Sequence, residues 1–448
     1  MSTIRPLWEH QSEMVDFALT KNGRKTILNA DMGLGKTLAT IETIERFGSQ
    51  RVLVVCPPRV IRVWSYQADV WNLGMDLLPL DQSGTKARLK AFDPNFNGVV
   101  VTNYQGFWRE GLYEALLKWS PQVLVFDEVH RLKAPGSKQS RRAATLAKRA
   151  DIRLGLTGSL ITKGREDIYG QARAIDATKF GTSYAAFVGR YFNVVQHPFP
   201  RIVSERDPVQ FQAVLSEFVG VWQAKGLIEL PESVETVWPV SLAASTKKLY
   251  HVFRKDMIVD LGENELVAAN VLVRALRLRQ LSSGIDPVTE TMMDPAKIEA
   301  ALEWADAAPP DEPLVIWTVF KPEADAVSNA LAAAGYTVSR AFGQYDELDD
   351  WLDARTRILV IGMAVGAEGL DFTRARYNLY MSPTTNAGDF IQSQARTRRP
   401  GADLNKLVSY TYLASRGTMD AKVYAALRHK MSIEKAVREA LQDDDTEL

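Results

Sequence analysis

The sequence predicts an α/β fold carried by two parallel sheets. Three observations predict it. Short, nearly continuous apolar runs recur between helix-like stretches: RVLVVCP (51–57), GVVVTNY (98–104), VLVFDEVH (123–130) and IRLGLTGS (152–159). Strands of that kind are buried on both faces, as in a doubly wound parallel sheet. A short strand, Thr26-Ile27-Leu28, runs straight into a glycine turn that opens a helix near Lys36. After an interruption over 176–228, the alternation resumes from about residue 291.

With 448 residues the chain exceeds one ordinary core, so two or three domains are expected. Its 46% apolar and 24% charged content is that of a soluble globular protein. The formal net charge is zero, so a polyanionic partner must be held by local basic patches. Cys56, the single cysteine, sits in an apolar run and reads as a packing residue rather than a reactive thiol. No disulfide can form within the chain, which suits a reducing cytosol, and we expect a cytoplasmic protein. The five histidines are scattered without metal-ligand spacing. MSTIRPLWEHQSEM lacks an apolar signal core, and no stretch is long and apolar enough to span a bilayer, so no membrane partner is expected. Residues 441–448 read as an acidic tail.

Taken in order, LWEHQSEMVDFAL (7–19) has the spacing of an amphipathic helix with Leu7, Met14, Phe17 and Ala18 inward. Gln11 lies upstream of the glycine turn. Its amide either pairs with the N6 and N7 edge of an adenine or is a solvated helix polar. KTILNADMGLGKTLATIE (25–42) is a phosphate cradle. Small residues let backbone N–H groups crowd onto oxygens, and the helix N-terminus adds positive potential. Met32, Gly33, Leu34 and Gly35 form the turn; Lys36 would reach the β- and γ-phosphates of ATP and the Thr37 hydroxyl would hold Mg²⁺. Ala30 stands where the G-x-x-x-x-G-K-S/T pattern has its first glycine.

Function on a parallel sheet collects at the carboxyl ends of the strands. The glycine turn, Thr102-Asn103-Tyr104, Asp127-Glu128 and Thr157-Gly158-Ser159 all fall there. Asp127 would contact Mg²⁺, directly or through its water, and Glu128 would orient and deprotonate the attacking water. Acidic residues at a helix N-cap are the competing explanation, which a preceding apolar strand and an upstream glycine cradle disfavour.

DMGLGKT, DEVHRLK and LGLTGS together resemble the motor of helicase superfamily two, and most closely the Swi/Snf-like DNA-translocating ATPases. Ser137-Lys138 after DEVHRLK extends the match; Val129 and Ser159-Leu160 depart from it. The resemblance implies two RecA-like parallel-sheet lobes with helical insertions between them. The expected division is 1–175 for the first lobe, 176–290 for the insertion and connection, and 291–440 for the second lobe. FGTSYAAFVGRYF reads as an aromatic helix packed on the first lobe, HPFPRIV as an irregular loop, and LIELPESVETVWPVSL (227–242) as the strand leading out. Residues 245–283 read as helical; Arg274, Arg277 and Arg279 face either DNA or solvent, with similarity to a family L-R-Q segment favouring structure. The basic run 131–153 reads mainly as a solvated helix face, with a few positions available to phosphates.

In the second half, APPDEP (308–313) breaks a helix before strand LVIWTVF. Helix 322–334, strand YTVSRAF, an acidic helix near 346–354, and strands RILVIGM, ARYNLYMS and KLVSYTYL follow, with no second glycine cradle. IQSQARTRRPG spaces Gln392, Arg396 and Arg399 as Q-x-x-x-R-x-x-R, similar to the last helicase motif. The resemblance implies that Arg396 and Arg399 reach the γ-phosphate as arginine fingers. Gly369 in GAEGLD allows close backbone approach, and Asp371 touches either ribose or the arginine pair. SRGTMDAKVYAALRHK (415–430) resembles the closing family helix.

The expected function is an ATP-dependent translocase stimulated by, and moving along, double-stranded DNA. Thr102, Tyr104 and neighbours of Ser382-Pro383-Thr384 are candidate backbone contacts, and a protein partner would supply any specificity. A strand-separating DNA or RNA helicase is the alternative; an inactive ATP-gated clamp is disfavoured by Lys36, Glu128, Arg396 and Arg399. The absence of nuclease, zinc or chromatin-reading appendages fits a prokaryotic or phage protein.

Overall fold

The computed structural model describes residues 7–161, 164–196, 201–263, 268–366, 370–400 and 402–429. Gly369 and the acidic tail lie outside the described residues. The chain divides into two compact units, residues 1–229 and 230–448. Among the described residues no helix is long and apolar enough to cross a membrane.

The first unit is a seven-stranded sheet. Its members are β1 (Lys25–Ala30), β2 (Arg51–Cys56), β3 (Leu77–Pro79), β4 (Gly98–Asn103), β5 (Val123–Asp127), β6 (Ile152–Thr157) and β9 (Val219–Trp222). Their order is β3-β4-β2-β5-β6-β1-β9, with every pairing parallel. Between β6 and β9 lies a two-stranded antiparallel hairpin, β7 (Phe192–Val195) and β8 (Arg201–Glu205). The apolar runs form the five inner strands because a central parallel strand is covered on both faces, and β2 and β4 are buried almost throughout. Cys56 is fully buried in β2.

Four strands were not visible in the residue pattern, β7 (Phe192–Val195) among them. β3 is a three-residue edge strand ending in proline, a composition tolerated only at an edge. β8 takes up part of the segment read as an irregular loop. β9 follows the aromatic helix and closes the other edge, Ile27 to Ala30 pairing with Val219 to Trp222. The aromatic helix Tyr184–Tyr191 forms as expected, and Phe187, Tyr191, Phe211 and Phe218 share one core with Ile27 and Leu124.

The second unit holds a six-stranded parallel sheet in the order β10-β15-β14-β11-β13-β12. These are β10 (Ser233–Val240), β11 (Leu314–Thr318), β12 (Val338–Ala341), β13 (Ile358–Gly362), β14 (Tyr377–Tyr380) and β15 (Val408–Ser415). The segment read as leading out is β10, an edge strand paired along its length with β15. Helices Ala244–Glu263 and Ala268–Ser282 fill the stretch read as helical. Arg279 is buried there: it donates to the Pro383 carbonyl and lies over the Phe320 ring, the structural role that the similarity to the L-R-Q segment favoured over a DNA- or solvent-facing one. The closing helix Asp420–Arg428 is anchored by a buried ion pair, Lys297 Nζ to Asp420 Oδ2 at 2.7 Å.

Candidate functional site

The glycine turn is built by φ angles that only glycine adopts without strain. Gly33 has φ +82° and Gly35 φ +77°, and Gly35 caps helix Lys36–Phe47. The turn is braced from three sides. Asp31 Oδ2 accepts the Ala224 N–H at 2.8 Å, tying the turn to the segment after β9. His10 Nε2 lies 3.1 Å from the Leu34 carbonyl, and Gln11 Nε2 donates to the same carbonyl at 3.3 Å. Gln11 Oε1 accepts the Trp8 N–H at 3.0 Å. Gln11 is thus engaged with backbone at both ends of its amide, a role the sequence offered no sign of. Lys36 Nζ folds over the turn onto the Ala30 and Asp31 carbonyls, at 2.6 and 3.2 Å. Thr37 lies in the first helical turn, half-buried.

Asp127 ends β5, two strands from β1 in the sheet. Burial and the adjacent Glu128 push its carboxyl up to about 6, against the Trp64 hydrogen bond and the Lys36 charge, which pull it down. Trp64, buried in helix Val60–Val70, donates its indole N–H to Asp127 Oδ2 at 3.0 Å. Glu128 has φ +58°, a left-handed conformation uncommon outside glycine, and such strain collects at functional positions. The turn it makes sends the two neighbouring carboxylates to different partners. Glu128 Oε2 lies 3.2 Å from His130 Nδ1 and accepts the Thr157 hydroxyl at 3.4 Å; His130 Nδ1 and Thr157 Oγ1 are 3.1 Å apart. The ends of β5 and β6 are joined through this triangle. Leu160, in place of the family proline, is buried, and its carbonyl accepts from Gln171 at 2.7 Å.

In the second unit Arg396 and Arg399 converge on one acceptor. Each Nη1 donates to the Leu370 carbonyl, at 3.3 and 3.2 Å. Asp371 Oδ1 accepts the Thr373 N–H and hydroxyl, and Asp371 Oδ2 lies 3.6 Å from Arg399 Nη1. Asp371 is therefore placed beside the arginine pair. Gln392 is buried in helix Ala387–Thr397, which Asn386 caps by accepting two backbone N–H groups.

The structure corrects one expectation about nucleic-acid contact. Thr102 and Tyr104 are buried, Tyr104 against Phe107 and Phe126, so neither offers a surface to a backbone. Ser382, Pro383 and Thr384 are buried too, while their neighbours Thr385 and Asn386 are exposed.

The candidate donors suit Mg²⁺, a hard cation that takes oxygen ligands and few protein groups: a hydroxyl at a helix start and a carboxylate whose negative charge, penalised by burial and by Glu128, gains from a nearby cation. Two parallel-sheet α/β units, the first carrying this turn and carboxylate pair, define a helicase-like ATPase. Residues 10–284 match the family model described as the SNF2-related domain, and the chain belongs to that family. It is 26% identical over 441 residues to putative protein p41 of Acyrthosiphon pisum secondary endosymbiont phage 1, covering 92% of this chain and 94% of that one. It is 23% identical to the chromodomain-helicase-DNA-binding protein 1-like of Danio rerio, covering 94% of this chain but 42% of the zebrafish protein. The helicase domain of Pyrococcus furiosus Hef shares the fold at a TM-score of 0.52 and 15% identity, with 94% of this chain and 98% of that domain covered. The protein is an SNF2-family helicase-like ATP hydrolase.

Proposed function

We propose that the chain is an ATP-dependent translocase that moves along duplex DNA and hydrolyses ATP to ADP and phosphate. The observation that carries this reading is the convergence, in one unit, of Lys36 and the glycine turn with Asp127-Glu128, whose second carboxylate is tied to Thr157 and His130. Gly33, Gly35 and the start of helix Lys36–Phe47 cradle phosphate oxygens, and Lys36 exchanges its two carbonyl partners for them. Thr37 and Asp127 would hold Mg²⁺, which when bound would supply Lewis-acid neutralisation of phosphate charge. Glu128 orients a water for attack on the γ-phosphorus and takes its proton as the bond to the β-phosphate oxygen breaks. Arg396 and Arg399 supply fixed positive charge to the transition state, with Asp371 aligning Arg399.

Duplex DNA as the track is supported by membership of the SNF2-related family and by the zebrafish relative, whose name records helicase and DNA binding. The phage relative suits work inside an infected cell. Steady-state ATP turnover with duplex DNA, single-stranded DNA, RNA or no nucleic acid tests the reading. Turnover several-fold above basal with duplex, and above that with single strands, is expected. Equal turnover in all four, or a maximum with single strands or RNA, overturns it.

A further inference from the structure

Thr102 and Tyr104 are buried, so a nucleic-acid contact on the first unit would need other residues. Beyond β4, separated from β1 by β2, β5 and β6, the unit opens a cavity of about 540 Å³. Trp108, Arg109 and Glu110 wall it from the turn after β4; Lys138, Arg141 and Arg142 wall it from helix Lys138–Ala147. Four cations thus face one carboxylate, in a chain whose overall charge is zero. Like charges held this close repel one another and gain from a polyanion.

The cations are not equivalent. Arg142 is structural: its Nη1 donates to the Trp108 carbonyl at 2.5 Å, its guanidinium lies over Tyr113 at 4.4 Å, and its Nη2 is 3.6 Å from Glu114. It fixes the turn against the helix. Arg109 lies over the Trp108 ring at 4.6 Å and donates Nε to the Gln105 carbonyl at 3.3 Å, which pre-orients its fork. Lys138 and Arg141, three residues apart on one helix face, are exposed and have no carboxylate partner among the described residues. Two charges are therefore available beside one that is pre-oriented, and the half-buried indole of Trp108 gives the cavity an apolar wall against which a sugar or base can rest.

We propose that this cavity grips the phosphodiester backbone of the nucleic acid on which the motor works, with Lys138 and Arg141 pairing phosphates and Arg109 and Trp108 bracing the adjoining sugar. The inference rests on the motor reading above but assigns a site which that reading leaves open. Phosphate pairing carries no base preference and weakens steeply with salt.

The test is fluorescence-anisotropy binding of a labelled duplex to the full chain across a salt series. The variant is Lys138→Ala with Arg141→Ala; Lys118→Ala, an exposed cation off the cavity, is the control. The double variant is expected to bind at least about 10-fold more weakly at low salt and to lower the slope of log K against log salt by about 2. The control should match wild type, and thermal unfolding should be alike in all three. Wild-type binding with an unchanged double variant overturns the site and leaves the motor reading intact. If the wild-type chain binds no nucleic acid, both fall together.

Discussion

Asp127 and Glu128 are neighbours in sequence for which different tasks are proposed, and their surroundings separate them. Glu128 turns through a left-handed conformation onto His130 and Thr157, while Asp127 is held by Trp64 and burdened by burial and by Glu128. In the metal-free protein this is a cost. With its carboxyl pushed up to about 6, the folded chain holds a proton that the unfolded chain has released. Stability contributed by this group is therefore greatest in acid, falls as pH rises from about 4 through about 6, and is flat above. Asp127→Asn keeps an acceptor for Trp64 and removes the charge. It should erase that slope and raise the melting temperature of the metal-free chain on the alkaline side of pH 6, while cutting ATP turnover by about 100-fold or more. Thermal unfolding in chelator on both sides of pH 6, with turnover measured in parallel, checks this; a less stable variant at neutral pH contradicts it. The acidic pair was legible because it follows an apolar strand. Trp64 was not: it lies 63 residues upstream on an amphipathic helix, where an indole reads as core.

At the level of the element, the strand–turn–helix unit was readable because its chemistry is local. A glycine pair, a lysine and a hydroxyl residue in fixed order need no tertiary partner to be recognised. The brace on that turn is tertiary and was hidden. A Cβ on Gly35 would come within 2.2 Å of Gln11 Nε2, whereas one on Gly181, also at positive φ, would meet nothing within 4 Å. Both Gly→Ala changes incur the left-handed penalty of roughly 1 kcal/mol. Only Gly35→Ala must also displace Gln11 from Leu34. Nucleotide titration and thermal scans should show Gly181→Ala slightly less stable with ATP affinity intact, and Gly35→Ala less stable still with ATP affinity reduced about 10-fold or more. Equal effects would remove the brace from the account. The same local-versus-tertiary divide explains the strands: the inner apolar runs declared themselves, whereas β3, β7, β8 and β9 are short segments whose pairing depends on a neighbour already in place. Thr102 and Tyr104 were misjudged because a strand end shows where a residue lies along the sheet but not whether the next turn covers it.

Across the whole molecule, each unit carries its own sheet and core, and the charges assigned to hydrolysis are divided between them. The cradle and carboxylates belong to the first unit; Arg396 and Arg399 belong to the second, held on the Leu370 carbonyl. A division of that kind separates binding from chemistry. Under the proposed mechanism, residues of the first unit would act on ATP in the ground state, while a guanidinium that matters only as charge develops would act on the transition state alone. Arg399 is the cleaner probe, since Arg396 is nearly buried and its loss also disturbs packing. Arg399→Ala should leave ATP affinity within about 3-fold of wild type and lower kcat by about 100-fold or more, and Arg399→Lys, which keeps charge but not the fork, should recover part of it. Lys36→Ala, by contrast, should weaken ATP binding itself. Equilibrium titration with labelled ATP beside single-turnover hydrolysis separates the two patterns. If Arg399→Ala loses ATP affinity and kcat in equal measure, the second unit contributes to holding ATP rather than to its hydrolysis, and the division of labour proposed for the two sheets fails.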